Sequence, residues 1–233
     1  MGQAASQQVA SSEPPKLTIL SRDEAIAALE QADRLDRFSE LLFLEPINQD
    51  ARKGLDYIPM DGPDLPVDIS WLQNSVKVCW MSPSAEAGMP HTRAPNLICM
   101  PLYWKSSNLM ETLKHEAIHV DQRIHPKKWI RWCIQNGWTL VKEDTIPERW
   151  RKRCRLNPDT CAYRFWAFQN RWVPLPLYER EDRPVLRDIQ VRWWDMKTGD
   201  LLHSAPAELA PLIEGIANPE HPFEIAAYKL IQL

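Results

Sequence analysis

One pentapeptide, His115-Glu-Ala-Ile-His119, constrains this 233-residue chain more than any other feature. Histidines four positions apart lie on the same face of an α-helix, where both imidazoles can bind one metal ion. Glu116 follows the first histidine, so its carboxylate can act as a base toward water held at the same place. The pattern H-E-x-x-H therefore predicts a Zn2+ site on a helix, with His115 and His119 as ligands and Glu116 as the catalytic base.

The residues around the motif predict an amphipathic helix. Asn108 followed by Glu111 is typical of a capping box at its start, and Pro126 ends it just past Ile124. Apolar residues with helical spacing form one stripe, namely Leu109, Leu113, Ala117, Val120 and Ile124. The two histidines fall nearly opposite this stripe. We therefore expect the helix to bury one face in a core and to turn its histidines toward a cleft.

The remaining pattern predicts an α+β fold with a small, mostly antiparallel sheet before the motif helix and further helices toward the C-terminus. Alternating apolar residues at 67–71 and 76–80 predict an antiparallel pair of strands. Residues 97–102 predict another strand, which leads into the motif helix. Pro222 opens a last helix that extends to Leu230.

Length and charge bound the domain organisation and the partners. A chain of 233 residues fits one domain. We predict a flexible tail at 1–15 and a single domain at 16–233, with an insertion at about 126–217. The net charge of −3 argues against a general nucleic-acid binder, so no specific nucleic acid is expected as a partner.

Cysteine usage and the chain start bear on location. The five cysteines form no C-x-x-C pair, and no signal-peptide pattern opens the chain, so we expect reduced thiols in a cytoplasmic or cytosol-facing protein that is not secreted. The first six residues fit M-G-x-x-x-[ST], the acceptor pattern for N-myristoylation. Gly2 is therefore a candidate lipidation site that would allow peripheral membrane contact. A plain polar tail is the alternative.

A catalytic zinc site usually has three protein ligands and an open position for water, so the two histidines need a partner. The first candidate is Glu224. Pro222 places it in the first turn of the last helix. Ala227 lies three residues further on the same face, and its small side chain would let this helix approach the motif helix closely.

Two other residues compete with Glu224 as the third ligand. His125 lies ten residues after His115, but Gln122 occupies the position where such a spacing needs a glycine to turn the chain. Asp200 follows a Thr-Gly pair, and an ordinary turn aspartate explains it more simply.

The combination of H-E-x-x-H with a later Glu-x-x-Ala helix resembles the gluzincin group of zinc metallopeptidases. The resemblance covers residues of about 106–124 and 218–230. It implies a zincin-like fold that hydrolyses peptide bonds in a peptide or protein substrate by means of a zinc-activated water. The implied site comprises three zinc ligands and a general base, namely His115, His119 and Glu224 with Glu116. The segment between the motif and Glu224 is longer than in compact members of the group, so it must fold back.

Some further side chains are candidates for supporting roles. Tyr228, His203 and Tyr163 could each stabilise an oxyanion, and Asp121 could orient a ligand histidine. The rival to the enzyme hypothesis is a non-catalytic, zincin-like structural or membrane-peripheral interaction protein. An intact motif argues against that rival, because a scaffold need not keep Glu116.

Overall fold

Two β-sheets and eight α-helices make up the part of the chain that the structure describes, a computed structural model covering residues 13–65, 68–103 and 108–231. The first sheet precedes the motif helix in the sequence, and the second sheet follows it. The α+β fold class predicted from the sequence is therefore confirmed. Gly2 and most of the predicted tail lie outside the described residues.

The first sheet has mixed strand directions, whereas a mostly antiparallel sheet was predicted before the motif helix. Its strands are β1 (Leu17–Ile19), β2 (Pro59–Met60), β3 (Val76–Met81), β4 (His91–Arg93) and β5 (Leu97–Pro101). β3 pairs in parallel with β1 and β5 and antiparallel with β2, whereas β4 pairs antiparallel with β5 and forms an edge. β3 is apolar at nearly every position, the pattern of a strand with both faces covered. The motif helix covers one face, and helix α1 (Arg22–Leu35) covers the other.

The antiparallel pair predicted for 67–71 and 76–80 is wrong. Residues 68–71 form no strand, and Val67 lies outside the described residues. The Asp68 carboxylate accepts hydrogen bonds from the backbone N and the Oγ of Ser70, both at 2.9 Å, which holds the chain in a local turn. The apolar residues of this turn, Ile69 and Trp71, pack on the same core as β3. The alternation of apolar residues therefore predicted burial correctly but predicted strand pairing wrongly.

The motif lies on helix α4 (Leu109–Ile124), as predicted. Leu113 and Val120 are fully buried against the first sheet, with Leu109 and Ala117 packed beside them. Ile124 is the exception in the apolar stripe, because 40% of it is exposed. Asn108 is the residue before the helix, but its side chain makes no capping hydrogen bond.

The second sheet is antiparallel throughout. Its strands, in the order β10-β9-β8-β7-β6, are β6 (Trp138–Leu140), β7 (Trp166–Phe168), β8 (Trp172–Tyr178), β9 (Ile189–Asp195) and β10 (Leu201–Leu202). Four tryptophans of this sheet are buried in one core with Phe223 and Ile225. These two residues belong to the last helix, α8 (Pro222–Leu230), whose predicted bounds are confirmed. The tryptophan-rich sheet therefore anchors the start of α8.

The remaining helices are short connections around these layers. They are α2 (Phe38–Leu44), α3 (Pro46–Asp50), α5 (Pro126–Gln135), α6 (Glu148–Arg151) and α7 (Ala210–Ile213). Among the described helices, none combines the length and the apolar character needed to cross a membrane.

Candidate metal centre

Helices α4 and α8 bring three side chains that could hold a metal ion to one point. The Nε2 atoms of His115 and His119 are 3.0 Å apart. The Oε2 atom of Glu224 lies 3.3 Å from each of them. His119 is fully buried, and the side chain of His115 is 13% exposed. The three side chains thus form a compact triangle of donor atoms at the wall of a cleft, which is the arrangement that the sequence prediction requires of Glu224.

The donor set and its spacing fit a zinc ion. Zinc takes imidazole nitrogens and carboxylate oxygens at about 2.0–2.2 Å in tetrahedral geometry, which places neighbouring donor atoms about 3.3 Å apart. The observed separations of 3.0 to 3.3 Å match that spacing. Within the described residues, this is the group of histidine, cysteine and acidic side chains close enough to hold one ion.

Gln122 fixes the orientation of His119. Its amide nitrogen donates to the carbonyl oxygen of Phe223 at 3.0 Å. The amide oxygen therefore faces the Nδ1 atom of His119, 2.7 Å away, and accepts a hydrogen bond from its N–H group. This leaves Nε2 of His119 as the atom that faces the cluster and can bind a cation. Because Phe223 precedes Glu224 on α8, the same amide also ties α4 and α8 together.

Asn157 plays a similar part for Glu224. Its amide nitrogen donates to Oε1 of Glu224 at 2.9 Å and to Oε1 of Glu220 at 2.7 Å. The hydrogen bond occupies one carboxylate oxygen of Glu224 and leaves the other, Oε2, turned toward the two histidines. Asn157 lies inside the segment predicted as an insertion, so that segment does fold back onto the site.

The charges of the cluster depend on one another. Burial works against protonation of His119, but the carboxylates of Glu224 and Asp159 outweigh it and raise the pKa of His119 to about 10. Burial likewise works against ionisation of Glu224, yet His119 and His115 hold the pKa of Glu224 well below its usual range. Without a metal, the cluster therefore keeps a proton on His119 near neutral pH. A divalent cation would take the place of that proton.

Glu116 is held in a dry environment beside the cluster. Only 4% of the residue is exposed, and its Oε2 atom has no hydrogen-bond partner among the described residues. Burial, with the nearby carboxylate of Asp159, raises the pKa of Glu116 to about 8. A carboxylate with such a pKa can accept and release a proton near neutral pH.

The cleft beside the triangle has a volume of about 360 Å³. His115, Glu116 and Glu224 line it, together with Tyr228 from α8. The ring of Tyr228 lies 4.6 Å from the ring of His115, centroid to centroid. Burial and the carboxylate of Glu224 raise the pKa of Tyr228 to about 12, so its hydroxyl keeps its proton and can donate it in a hydrogen bond.

The competing ligand candidates lie elsewhere. His125 is exposed at the end of α4, and its Nε2 faces Oδ1 of Asn74 at 3.3 Å. Asp200 lies in an exposed turn, where Oγ1 of Thr198 donates to it at 2.7 Å. The structure therefore places Glu224, and neither alternative, beside the two histidines.

The proposed supporting residues are only partly brought to the site. Tyr163 contributes its carbonyl oxygen to His221 rather than a hydroxyl to the cleft, and His203 is exposed near β10. Asp121 does not orient a ligand histidine, because its carboxylate binds Lys128 and Trp129, both at 2.7 Å. Gln122 is a supporting residue that the sequence also signals, because its position three residues after His119 indicates a partner on the same helix face.

Comparison with known proteins adds no family to this description. No protein-family model, no curated protein and no solved structure matches the chain.

Proposed function

We propose that this protein is a zinc-dependent metallopeptidase, with His115, His119 and Glu224 as zinc ligands and Glu116 as the general base. The observation that carries the proposal is the triangle of donor atoms 3.0 to 3.3 Å apart at the wall of a cleft. A purely structural metal site is usually closed by four protein ligands. The described cluster has three, which leaves a position open toward the cleft.

The chain's own residues supply the proton transfers. Bound zinc would polarise the scissile carbonyl and lower the pKa of a water molecule. Glu116 lines the cleft next to His115, where it can accept a proton from water and deliver it to the leaving amine. The Tyr228 hydroxyl, on α8 with its ring beside His115, is available to donate to the oxyanion that forms during attack. The low exposure of Glu116 strengthens these interactions, because bulk water does not screen them.

Zinc stoichiometry and peptide hydrolysis test the proposal together. We expect one zinc per chain by elemental analysis of the purified protein. His115→Ala, His119→Ala and Glu224→Ala should each lose most of it, whereas His125→Ala, the matched control outside the triangle, should keep it. Glu116→Gln should keep both the zinc and the fold but lose hydrolysis by about 10²–10⁴-fold, because an amide cannot accept the proton.

The outcomes separate the proposal from its rivals. Equal zinc in the wild type and in all ligand variants would exclude the metal site. Zinc binding without hydrolysis of any peptide would favour the scaffold alternative, in which a lipidated Gly2 would carry membrane contact. The mass of protein made in a eukaryotic host would test that lipidation, since a myristoyl adduct should vanish in Gly2→Ala.

A further inference from the structure

A second cavity, of about 540 Å³, lies between helices α4 and α5, and the three residues of the metal triangle do not line it. We call it the α4–α5 cavity. Its walls are mainly apolar and aromatic, and they include Trp71, Leu72, Ile118, Trp129 and Trp132. Pockets that take small molecules have volumes of about 300–1,000 Å³ and walls of this kind, with a few polar groups among them. The α4–α5 cavity therefore has the size and the lining of a ligand site.

The acidic side chain of the cavity is already neutralised. The carboxylate of Asp121 accepts hydrogen bonds from Nζ of Lys128, Nε1 of Trp129 and Nδ2 of Asn74, each at 2.7 Å. Burial works against ionisation of Asp121, but these three donors outweigh it and hold its pKa below the usual range. Asp121 is therefore ionised near neutral pH, and its charge cancels that of Lys128.

Lys114 supplies a positive charge that the cavity does not balance. It is the remaining charged side chain among the lining residues, and it forms no ion pair or hydrogen bond within the described part of the chain. Asp68 senses its charge through space, but the Asp68 carboxylate is bound to Ser70 and does not line the cavity. The lining therefore carries a net charge of one positive unit, which a single negative charge on a ligand would neutralise.

The position of Lys114 gives the ligand a direction. The wall that α4 contributes consists of residues 114, 117, 118 and 121, which share one face of the helix. Lys114 lies at one end of this wall and Asp121 at the other, about 10 Å apart along the helix axis. A complementary ligand is therefore elongated and apolar, with an anionic group at one end.

Other occupants fit the cavity less well. Two turns of an α-helix, about 10 Å wide and 11 Å long, fill more than about 800 Å³, so the cavity is too small to enclose a partner helix. A phosphate monoester carries about 1.5 to 2 negative charges near neutral pH, which exceeds the one unbalanced charge of the lining. A carboxylate on an alkyl chain matches both the volume and the charge.

We propose that the α4–α5 cavity binds a long-chain fatty acid, with the carboxylate beside Nζ of Lys114 and the alkyl chain between α4 and the indoles of Trp71, Trp129 and Trp132. This site is separate from the metal triangle, so the inference does not rest on the proposed peptidase function.

Calorimetry with octanoate, decanoate and dodecanoate, below the concentrations at which they form micelles, tests the proposal on the wild-type protein. We expect one site per chain and an affinity that rises by up to about 4-fold for each added methylene group, because each is removed from water. The heat-capacity change of binding should be negative, as expected for burial of apolar surface. No binding, or an affinity that does not depend on chain length, would overturn the proposal.

Lys114→Met tests the contact with the carboxylate, because methionine keeps an apolar stem but has no charge. Its affinity for decanoate should fall about 3- to 10-fold, the range between an exposed ion pair and a charge-assisted hydrogen bond. Its affinity for decan-1-ol should stay unchanged. Lys53→Met, at an exposed lysine that does not line the cavity, is the matched control. An unchanged affinity of Lys114→Met for decanoate would contradict the assigned contact.

Trp132→Ala tests the apolar wall. The loss of this indole should weaken binding of decanoate and decan-1-ol alike, by about 10-fold. Trp150→Ala, at another partly buried tryptophan that does not line the cavity, is the control, and melting temperatures check that both variants fold. A folded Trp132→Ala protein with wild-type affinity for both ligands would place the alkyl chain elsewhere and overturn the proposal.

A chelator distinguishes this cavity from the metal centre, since a carboxylate could also bind a metal ion. The affinity for dodecanoate should be the same in chelator-treated and in zinc-supplemented protein, because the metal triangle does not line the cavity. Binding that requires zinc would place the carboxylate on the metal and refute the assigned site. Zinc-independent binding would support the site even if no peptide is ever hydrolysed.

Discussion

At the scale of single residues, Gln122 contributes more to the geometry of the site than its place outside the H-E-x-x-H motif suggests. It is 2% exposed and bonds both to His119 and to the backbone of α8. Gln122→Ala should therefore weaken zinc binding about 10- to 100-fold, the usual effect of losing a partner of a ligand histidine. Competition with a fluorescent chelator would measure the affinity.

The control for Gln122 is a glutamine outside the site. Gln135 closes helix α5, and Gln135→Ala should leave zinc affinity unchanged. If Gln122→Ala bound zinc as tightly as the wild type, packing alone would have to orient His119.

His221 links the stability of the protein to pH. Its Nδ1 accepts from the backbone N of Phe223 at 3.0 Å, which caps α8, and its Nε2 donates to the carbonyl oxygen of Tyr163 at 2.6 Å. Only the neutral ring can accept a hydrogen bond at Nδ1, and burial lowers the pKa of His221 to about 4. Protonation therefore favours the unfolded state, where the pKa is about 6.5.

The sign of the pH effect follows from this lowered pKa. The unfolded state takes up a proton below pH 6.5 and the folded state only near pH 4, so stability falls between those values by up to about 3 kcal/mol. Urea unfolding midpoints measured from pH 7 to 4 should show this loss. His221→Asn should flatten the pH dependence, whereas the exposed His203→Asn should not. A wild-type slope that His221→Asn leaves unchanged would assign the effect to other groups.

At the scale of secondary-structure elements, the site depends on how closely α8 approaches α4. Ala227 is fully buried on α8, one turn beyond Glu224. A larger side chain there should force the helices apart, at a cost of about 1–3 kcal/mol. Ala227→Leu should therefore lower the melting temperature and weaken zinc binding together. Ala27→Leu, the same change on the exposed face of α1, is the control. If Ala227→Leu folds and binds zinc with wild-type affinity, the size of the side chain at position 227 does not limit how closely α8 approaches α4.

At the scale of the whole molecule, the cysteines report on the integrity of the core. All five are free and buried, and burial raises the pKa of both Cys133 and Cys154 to about 12. Ellman's reagent should therefore label none of them rapidly in the native protein and all five after denaturation, because the reactive form is the thiolate. Rapid labelling of a single thiol in the native state would reveal a part of the core that opens locally.

The local features of this protein, such as helix bounds and helix faces, can be predicted from its sequence. The motif helix, its end before Pro126 and the start of α8 at Pro222 all follow from residues within one or two helical turns of each other. The shared face of His115 and His119 follows from the same periodicity. Local features of the sequence also favour Glu224 over His125, and the structure places Glu224 beside the histidines.

The remainder was decided by contacts between residues far apart in the chain. Apolar residues alternate at 67–71 as they do in a strand, but a turn that packs on the core can carry the same pattern. The parallel pairing of β3 depends on its neighbours, which no local pattern contains. Asn157 reaches Glu220 and Glu224 across 63 and 67 positions. The sequence by itself determined which side chains can bind a metal and act as a base. Only the tertiary structure decided which side chains from other elements orient them, because those partners meet through packing of separate elements.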